Sequence, residues 1–210
     1  MKFLTNASLQ ALRLLLTGDA NIWGIIWISF RVSTLAIMFA VPPALLTAFI
    51  LAHFRFPGRK LLISIFSALL SVPAVVVGLT LFILLSRQGP LGDMRLLFTQ
   101  TAMIMGQFLL SFPILVSMSL AALRAVDSRA WETARTLGAG PGEAARRVVF
   151  PLVRPAIAAG GAVVMMETLT DFATVQYFGV DTVSVGVFNI WRGQYDRDGA
   201  SEIATLVLGF

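Results

Sequence analysis

Three long runs without a charged side chain decide what this chain can fold into. Residues 32–52, 61–86 and 96–123 hold no Asp, Glu, Lys or Arg. About 20 apolar residues, rising about 1.5 Å each in a helix, cross a hydrocarbon core about 30 Å thick. Of the 210 residues, 57% are apolar and 13% charged, more apolar surface than one soluble core of that length can bury. A helix satisfies its own backbone in lipid, so the expected fold class is all-α, a polytopic transmembrane helical bundle.

Five spans are expected, at about residues 22–52, 61–86, 96–123 and 156–180, with a last, incomplete one from about 203 to 210. Pro42 and Pro43 should kink the first, and Pro73 and Gly78 should bend the second. The start is no signal peptide, because Arg13 and Asp19 interrupt its apolar stretch. Residues 8–16 read as a short interfacial helix ended near Gly18. The loop with Arg55, Arg59 and Lys60 and the stretch 124–155, with six arginines against three acids, fall on one side by parity. The positive-inside rule makes that side the cytoplasm. The formal charge of +5 follows the same rule, and no basic stripe interleaved with aromatics points to nucleic acid. Trp23, Trp27, Tyr177 and Trp191 read as anchors at the outer interface, and the lone His53 as an interfacial residue at a span end. The chain has no cysteine, which excludes disulfides, thiolate metal sites and thiol catalysis.

The stretch 124–155 carries the functional signal. Two amphipathic pieces flank the turn Gly138-Ala139-Gly140-Pro141. Gly138 suits a left-handed cap on the first piece and Pro141 the first position of the second. The first piece sets Trp131, Ala134 and Leu137 on one side, the second carries Val148 and Val149 near its end, and Pro151 should stop it. The product is a helical knob standing out of the membrane on its basic side. No Gly-rich loop ends in Gly-Lys-Ser/Thr, so no phosphate-binding loop is expected on this chain.

Here the chain resembles the permease subunits of binding-protein-dependent ABC importers. In that family the cytoplasmic loop has Glu-Ala-Ala, a Gly after three more residues, then nine residues and Ile-x-Leu-Pro. This chain has Glu132-Thr133-Ala134, Gly138, nine residues, and Val148-Val149-Phe150-Pro151. Thr133, Val148 and Phe150 depart from the pattern by small changes of size. The resemblance implies a single transmembrane domain of the type I ABC importer fold over residues 1–210. Its coupling helices, with Trp131, Glu132, Thr133, Ala134, Leu137, Gly138, Ala139, Val148 and Pro151, would sit in a cleft of an ATPase subunit. It further implies two ATPase copies binding ATP and magnesium, a second permease subunit forming a homodimer, and a periplasmic or lipoprotein solute-binding protein. The place would be a bacterial inner membrane, multi-pass and surrounded by lipid. This chain would carry no cofactor, no metal and no catalytic residue. A secondary transporter or channel would need no such knob, and a membrane-embedded enzyme would need a convergent catalytic set, for which Glu167 with Asp171 is the only candidate pair.

Two substrate resemblances stand side by side. Residues 21–123, with "FPGRKLLISI" and "SVPAVVVGLTLFILLSRQGPLG", resemble tungstate-type oxoanion permeases. Residues 131–210, with "RPAIAAGGAVVMMETLTDFATVQYFGVDT", resemble ferric-iron permeases. A tungstate-like oxoanion is the favoured cargo and ferric iron the alternative.

Charged residues at membrane depth line a path or pair with each other. Glu167 and Asp171 are four apart on one helical face, with Thr168, Thr174 and Gln176 nearby. Counted from the span ends, Glu167 lies about 16 Å in from the cytoplasm and Arg31 about 14 Å in from outside. The two therefore share a depth, and a structural ion pair between them is expected. Asp171, nearer the outer mouth, is then the gate or path residue, with Glu167, Thr168 and Thr174 as further pore candidates.

Overall fold

The computed structural model describes residues 20–125, 128–171, 173–179, 182 and 185. The regular elements among them are all helical. The expected interfacial helix at 8–16, Trp191 and the incomplete last span lie outside the described residues.

The first element, α1 (Ala20–His53), matches the first expected span and continues through Pro42 and Pro43. Ala36, Ala40, Ala44 and Ala48 recur at four-residue intervals and are all fully buried. In lipid, burial of apolar surface does not drive helices together, so small side chains that let backbones approach are what such a seam needs. Met38, Phe39, Leu46 and Ile50 lie exposed, apolar and suited to hydrocarbon.

The second run is not one continuous helix. It breaks between α2 (Arg59–Leu69) and α3 (Ala74–Leu85). Pro73 cannot donate a backbone bond and pushes the preceding Val72 out of the helical region, which ends the first piece and lets a new one begin at Ala74. The break replaces the bend expected at Pro73. A 3-10 turn at Gly92–Met94 leads to α4 (Gln100–Ala125), whose start is capped by Thr99 Oγ1 accepting from Ala102 N at 3.3 Å.

The knob follows as α5 (Ser128–Thr136) and α6 (Pro141–Ala144), then a π turn at Ala145–Val149 leading into α7 (Phe150–Thr170). Two expectations are corrected here. Pro151 does not stop the second piece: helix runs from Pro141 to Thr170 with Pro151 and Pro155 inside it. The wide turn explains this, since Phe150 N donates five residues back to Ala145 O. A proline ring clashes with the carbonyl four residues behind it, and a widened turn gives that carbonyl room. The fourth span also ends at Thr170, ahead of the expected 180, and a 3-10 turn at Val175–Phe178 follows. Three helices, Trp23–His53, Gln100–Ala125 and Pro141–Thr170, are long and apolar enough to cross a membrane, or four if the broken pair counts as one.

Packing divides the chain into two compact units. One gathers Ala74–Gln107, the part of α1 up to Leu35 and the residues from Glu167 onward. Its core is Val32, Leu81, Leu85, Ala102, Met103, Val175 and Phe178. The other gathers Ala36–Pro73 and Phe108–Met166. Its core joins the alanine seam to Leu115, Val116, Leu120, Val149, Val153 and Val164.

Candidate functional site

In the second unit, the knob is built as its sequence suggests. Gly138 has φ +89°, the left-handed conformation that a side chain resists. Ala139 N donates to Ala134 O at 3.1 Å and Gly138 N to Arg135 O at 3.1 Å. This pair of bonds is a Schellman motif, which satisfies carbonyls that the end of α5 would leave orphaned. Arg135 Nη1 donates to Ala139 O at 2.9 Å and fixes the turn further. Pro141 opens α6, and Glu143 pairs with Arg147 at 3.1 Å on the surface. An exposed i,i+4 pair of this kind contributes only about 0.3–0.5 kcal/mol, so the turn geometry defines the knob.

Its side chains split into two sets. Ala134, Ala144, Ala145 and Val149 are buried and Trp131, Ala139 and Val148 half-buried, whereas Glu132, Thr133 and Pro151 are exposed. Leu137 is 82% exposed, which corrects its expected place beside Trp131 and Ala134. Leu137 N still donates to Thr133 O at 3.0 Å, so the residue closes the last turn of α5, and its side chain stands uncovered just before the chain reverses at Gly138.

Trp131 turns inward, onto the end of α1. Its ring centroid lies 4.5 Å from that of His53 and 5.5 Å from that of Phe49. His53 also stacks on Phe49 at 4.5 Å, and Phe150 meets Phe49 at 5.8 Å. His53 is therefore part of an aromatic cluster and more than the interfacial residue expected. Its spacing of four from Phe49 at a span end was the available signal. Arg59, counted above only as a cytoplasmic charge, donates from Nε to Leu51 O at 2.6 Å and from Nη2 to Ala52 O at 3.4 Å. It thereby closes the last turn of α1, where a cation also suits the helix dipole.

The first unit holds a polar cluster around Asp171. Gln107 Nε2 donates to Asp171 Oδ2 at 2.8 Å, and Thr174 N donates to Oδ1 at 3.1 Å. Thr174 Oγ1 donates to Ala74 O at 3.2 Å. Asp171, next after the end of α7, thus closes the turn that leads into the 3-10 turn, where Thr174, Val175 and Phe178 are buried. Two glycines receive this turn. A Cβ on Gly78 would stand 2.9 Å from Thr174 Cα and 2.9 Å from the Tyr177 ring, and one on Gly106 would stand 3.1 Å from the Thr174 methyl. Tyr177 is half-buried against Phe82, centroids 6.2 Å apart, whereas Trp23 and Trp27 are exposed. Gln107 escaped the sequence reading, although an amide well inside a charge-free run is a candidate for an interhelical hydrogen bond.

Thr168 is buried, but Glu167 and Arg31 are both exposed, and among the described residues no ion pair joins them. The expected pair is corrected for a geometric reason. Residue counting gives depth along a helix and says nothing of the direction a side chain takes around it. Arg31 belongs to an exposed stripe with Trp23, Trp27 and Thr34 at helical spacing.

An all-helical chain of apolar spans carrying a capped knob between two of them is a multi-pass membrane protein of the type I importer fold. It belongs to the family of binding-protein-dependent transport system inner membrane components, whose pattern matches residues 44–208. It is similar to the molybdenum transport system permease protein ModB of Escherichia coli (strain K12), 31% identical over 163 residues, covering 74% of this chain and 71% of that one. It is likewise similar to the tungstate uptake system permease protein TupB of Peptoclostridium acidaminophilum, 35% identical over 140 residues, covering 67% and 61%. Among solved structures, an amino acid ABC transporter crystallised with histidines matches with a TM-score of 0.64 at 20% identity, covering 92% of this chain and 89% of that one. Neither relative named here is a ferric-iron permease, so the ferric resemblance finds no counterpart in them.

Proposed function

We propose that this chain forms the membrane path of an ATP-driven importer for a tetrahedral oxoanion, tungstate or molybdate, delivered by a solute-binding protein. The observation that carries the cargo is its likeness to one permease named for molybdenum and one named for tungstate. The polar cluster removes an objection to an anion. Both Asp171 carboxylate oxygens accept hydrogen bonds from Gln107 and Thr174, a turn within the fold and a poor lining for a cation path. ATP is hydrolysed on a separate ATPase subunit, two copies serving two permease chains, and the knob is where each one docks. The 82% exposed Leu137, beside a turn held by three hydrogen bonds, supports that role: a rigid body carrying an apolar tip. ATP closes the ATPase pair, the knobs move with it, and the path alternates between two openings.

Uptake into vesicles holding the full importer tests the cargo. Tungstate or molybdate should accumulate only with ATP inside, and sulfate in excess should compete weakly. Accumulation of ferric iron, or equal competition by sulfate, would overturn the assignment.

A further inference from the structure

We propose that the contacting rings of His53 and Trp131 carry the movement of the knob to α1, so that these two residues set how much transport each ATP delivers. This rests on the knob being the ATPase contact and names the route by which its movement enters the membrane.

The knob has covalent routes only to its own neighbours, α4 before it and α7 after it. Helix α1 lies far earlier in the chain and can be driven only through side-chain contact. Beside the packed core that α1 shares with Val149 and Val153, the direct contact of the first knob helix with α1 is aromatic. The rings of His53, Phe49 and Trp131 form a triangle, His53 4.5 Å from each of the other two and Trp131 5.5 Å from Phe49. Phe49 also meets Phe150, the first residue of α7. Both arms of the knob therefore converge on the last turns of α1.

Stiffness is distributed so as to make this route matter. Arg59 bonds the carbonyls of Leu51 and Ala52 and keeps the end of α1 from fraying. Between α6 and α7 stands the π turn Ala145–Val149, a break in the regular α-helical ladder at which that arm can bend. A push on the knob would be absorbed in part at that break. Rings in van der Waals contact resist compression steeply and pass the push on.

The test uses the complete importer in proteoliposomes, with ATP hydrolysis and tungstate or molybdate uptake measured on the same preparation. His53→Ala and Trp131→Ala should keep the ATPase subunit bound and hydrolysis within about twofold, while uptake per ATP falls about tenfold, the scale of a lost coupling contact. His53→Phe and Trp131→Phe preserve a ring and should keep uptake per ATP near that of the unsubstituted chain. The chain has no cysteine, so a double variant, His53→Cys with Trp131→Cys, can be bridged by a short bifunctional maleimide with no competing thiol on this chain. The bridge should restore uptake per ATP relative to the unbridged double variant. Uptake and hydrolysis falling together, or a bridge that restores nothing, would overturn the proposal. Loss of the ATPase subunit from the alanine variants would assign the rings an anchoring role and overturn it as well. If the unsubstituted complex retains no ATPase subunit, the reading of the knob fails instead.

Discussion

Gln107 and Asp171, 64 residues apart in sequence, are joined at 2.8 Å by a hydrogen bond from the amide Nε2 to the carboxylate. The bond links α4 to the turn that follows α7, and Gln107 is only 1% exposed. An amide donor to a carboxylate contributes about 1.5–3 kcal/mol, more than a neutral pair. Gln107→Leu removes the donor while the carboxylate stays half-buried. Thermal unfolding of the detergent-solubilised protein should show a clear loss of stability, with less folded protein in the membrane. Asp171→Asn keeps an acceptor for Thr174 N and should cost less. Unchanged stability in both variants with uptake abolished would show that Asp171 lines the path.

Gly78 tests how the 3-10 turn is seated. A methyl group there would stand 2.9 Å from the backbone of Thr174, closer than packed carbons approach. Gly78→Ala should therefore shift the turn or α3 and destabilise by about 1–3 kcal/mol, the usual scale of overpacking. Unfolding midpoints of this variant and the unsubstituted chain decide it. A neutral result would mean that the turn lies elsewhere.

Gly138 gives the opposite case. Nothing stands within 4 Å of a Cβ added there, so any effect comes from the backbone at φ +89°. Gly138→Val should cost about 1–3 kcal/mol in the knob, whereas Gly138→Asn, which tolerates the left-handed region, should cost less. Uptake should fall in the order Gly, Asn, Val with membrane protein levels preserved. Equal uptake by the Val variant would remove the Schellman turn from the mechanism.

How much of this was legible in the sequence depends on the kind of constraint. Charge-free length marked α1 and α4 closely, because a bilayer demands it. Gly138 and Pro141 marked the knob, because few other residues fit those conformations. Pro73 and Pro151 misled in two directions. A proline reports a missing donor and a bulky ring, and whether the helix breaks, as at 70–73, or accommodates it, as after the π turn, depends on neighbouring hydrogen bonds. The early end of α7 was hidden for a related reason. Residues 171–179 are apolar enough to continue a span, and the Asp171 turn that follows the helix depends on Gln107 from a distant segment.

Arg31 and Glu167 show the limit of depth arithmetic. Both are exposed and no ion pair joins them among the described residues. Arg31→Gln and Glu167→Gln should act independently, with a coupling in a double-mutant cycle of stability no greater than about 0.5 kcal/mol. A substantially larger favourable coupling would restore the pair.

The central claim is that the knob hands the work of ATP hydrolysis to this chain, and Leu137 tests it most directly. At 82% exposure its side chain contributes almost nothing to the fold of the free chain, so replacing it leaves the permease intact. Leu137→Glu should be made in the membrane at normal levels, yet retain the ATPase subunit on purification about tenfold less well or worse, as loss of a central apolar contact does. ATP-dependent uptake should disappear with it. Full retention of the ATPase subunit with undiminished uptake would contradict the assignment of the knob.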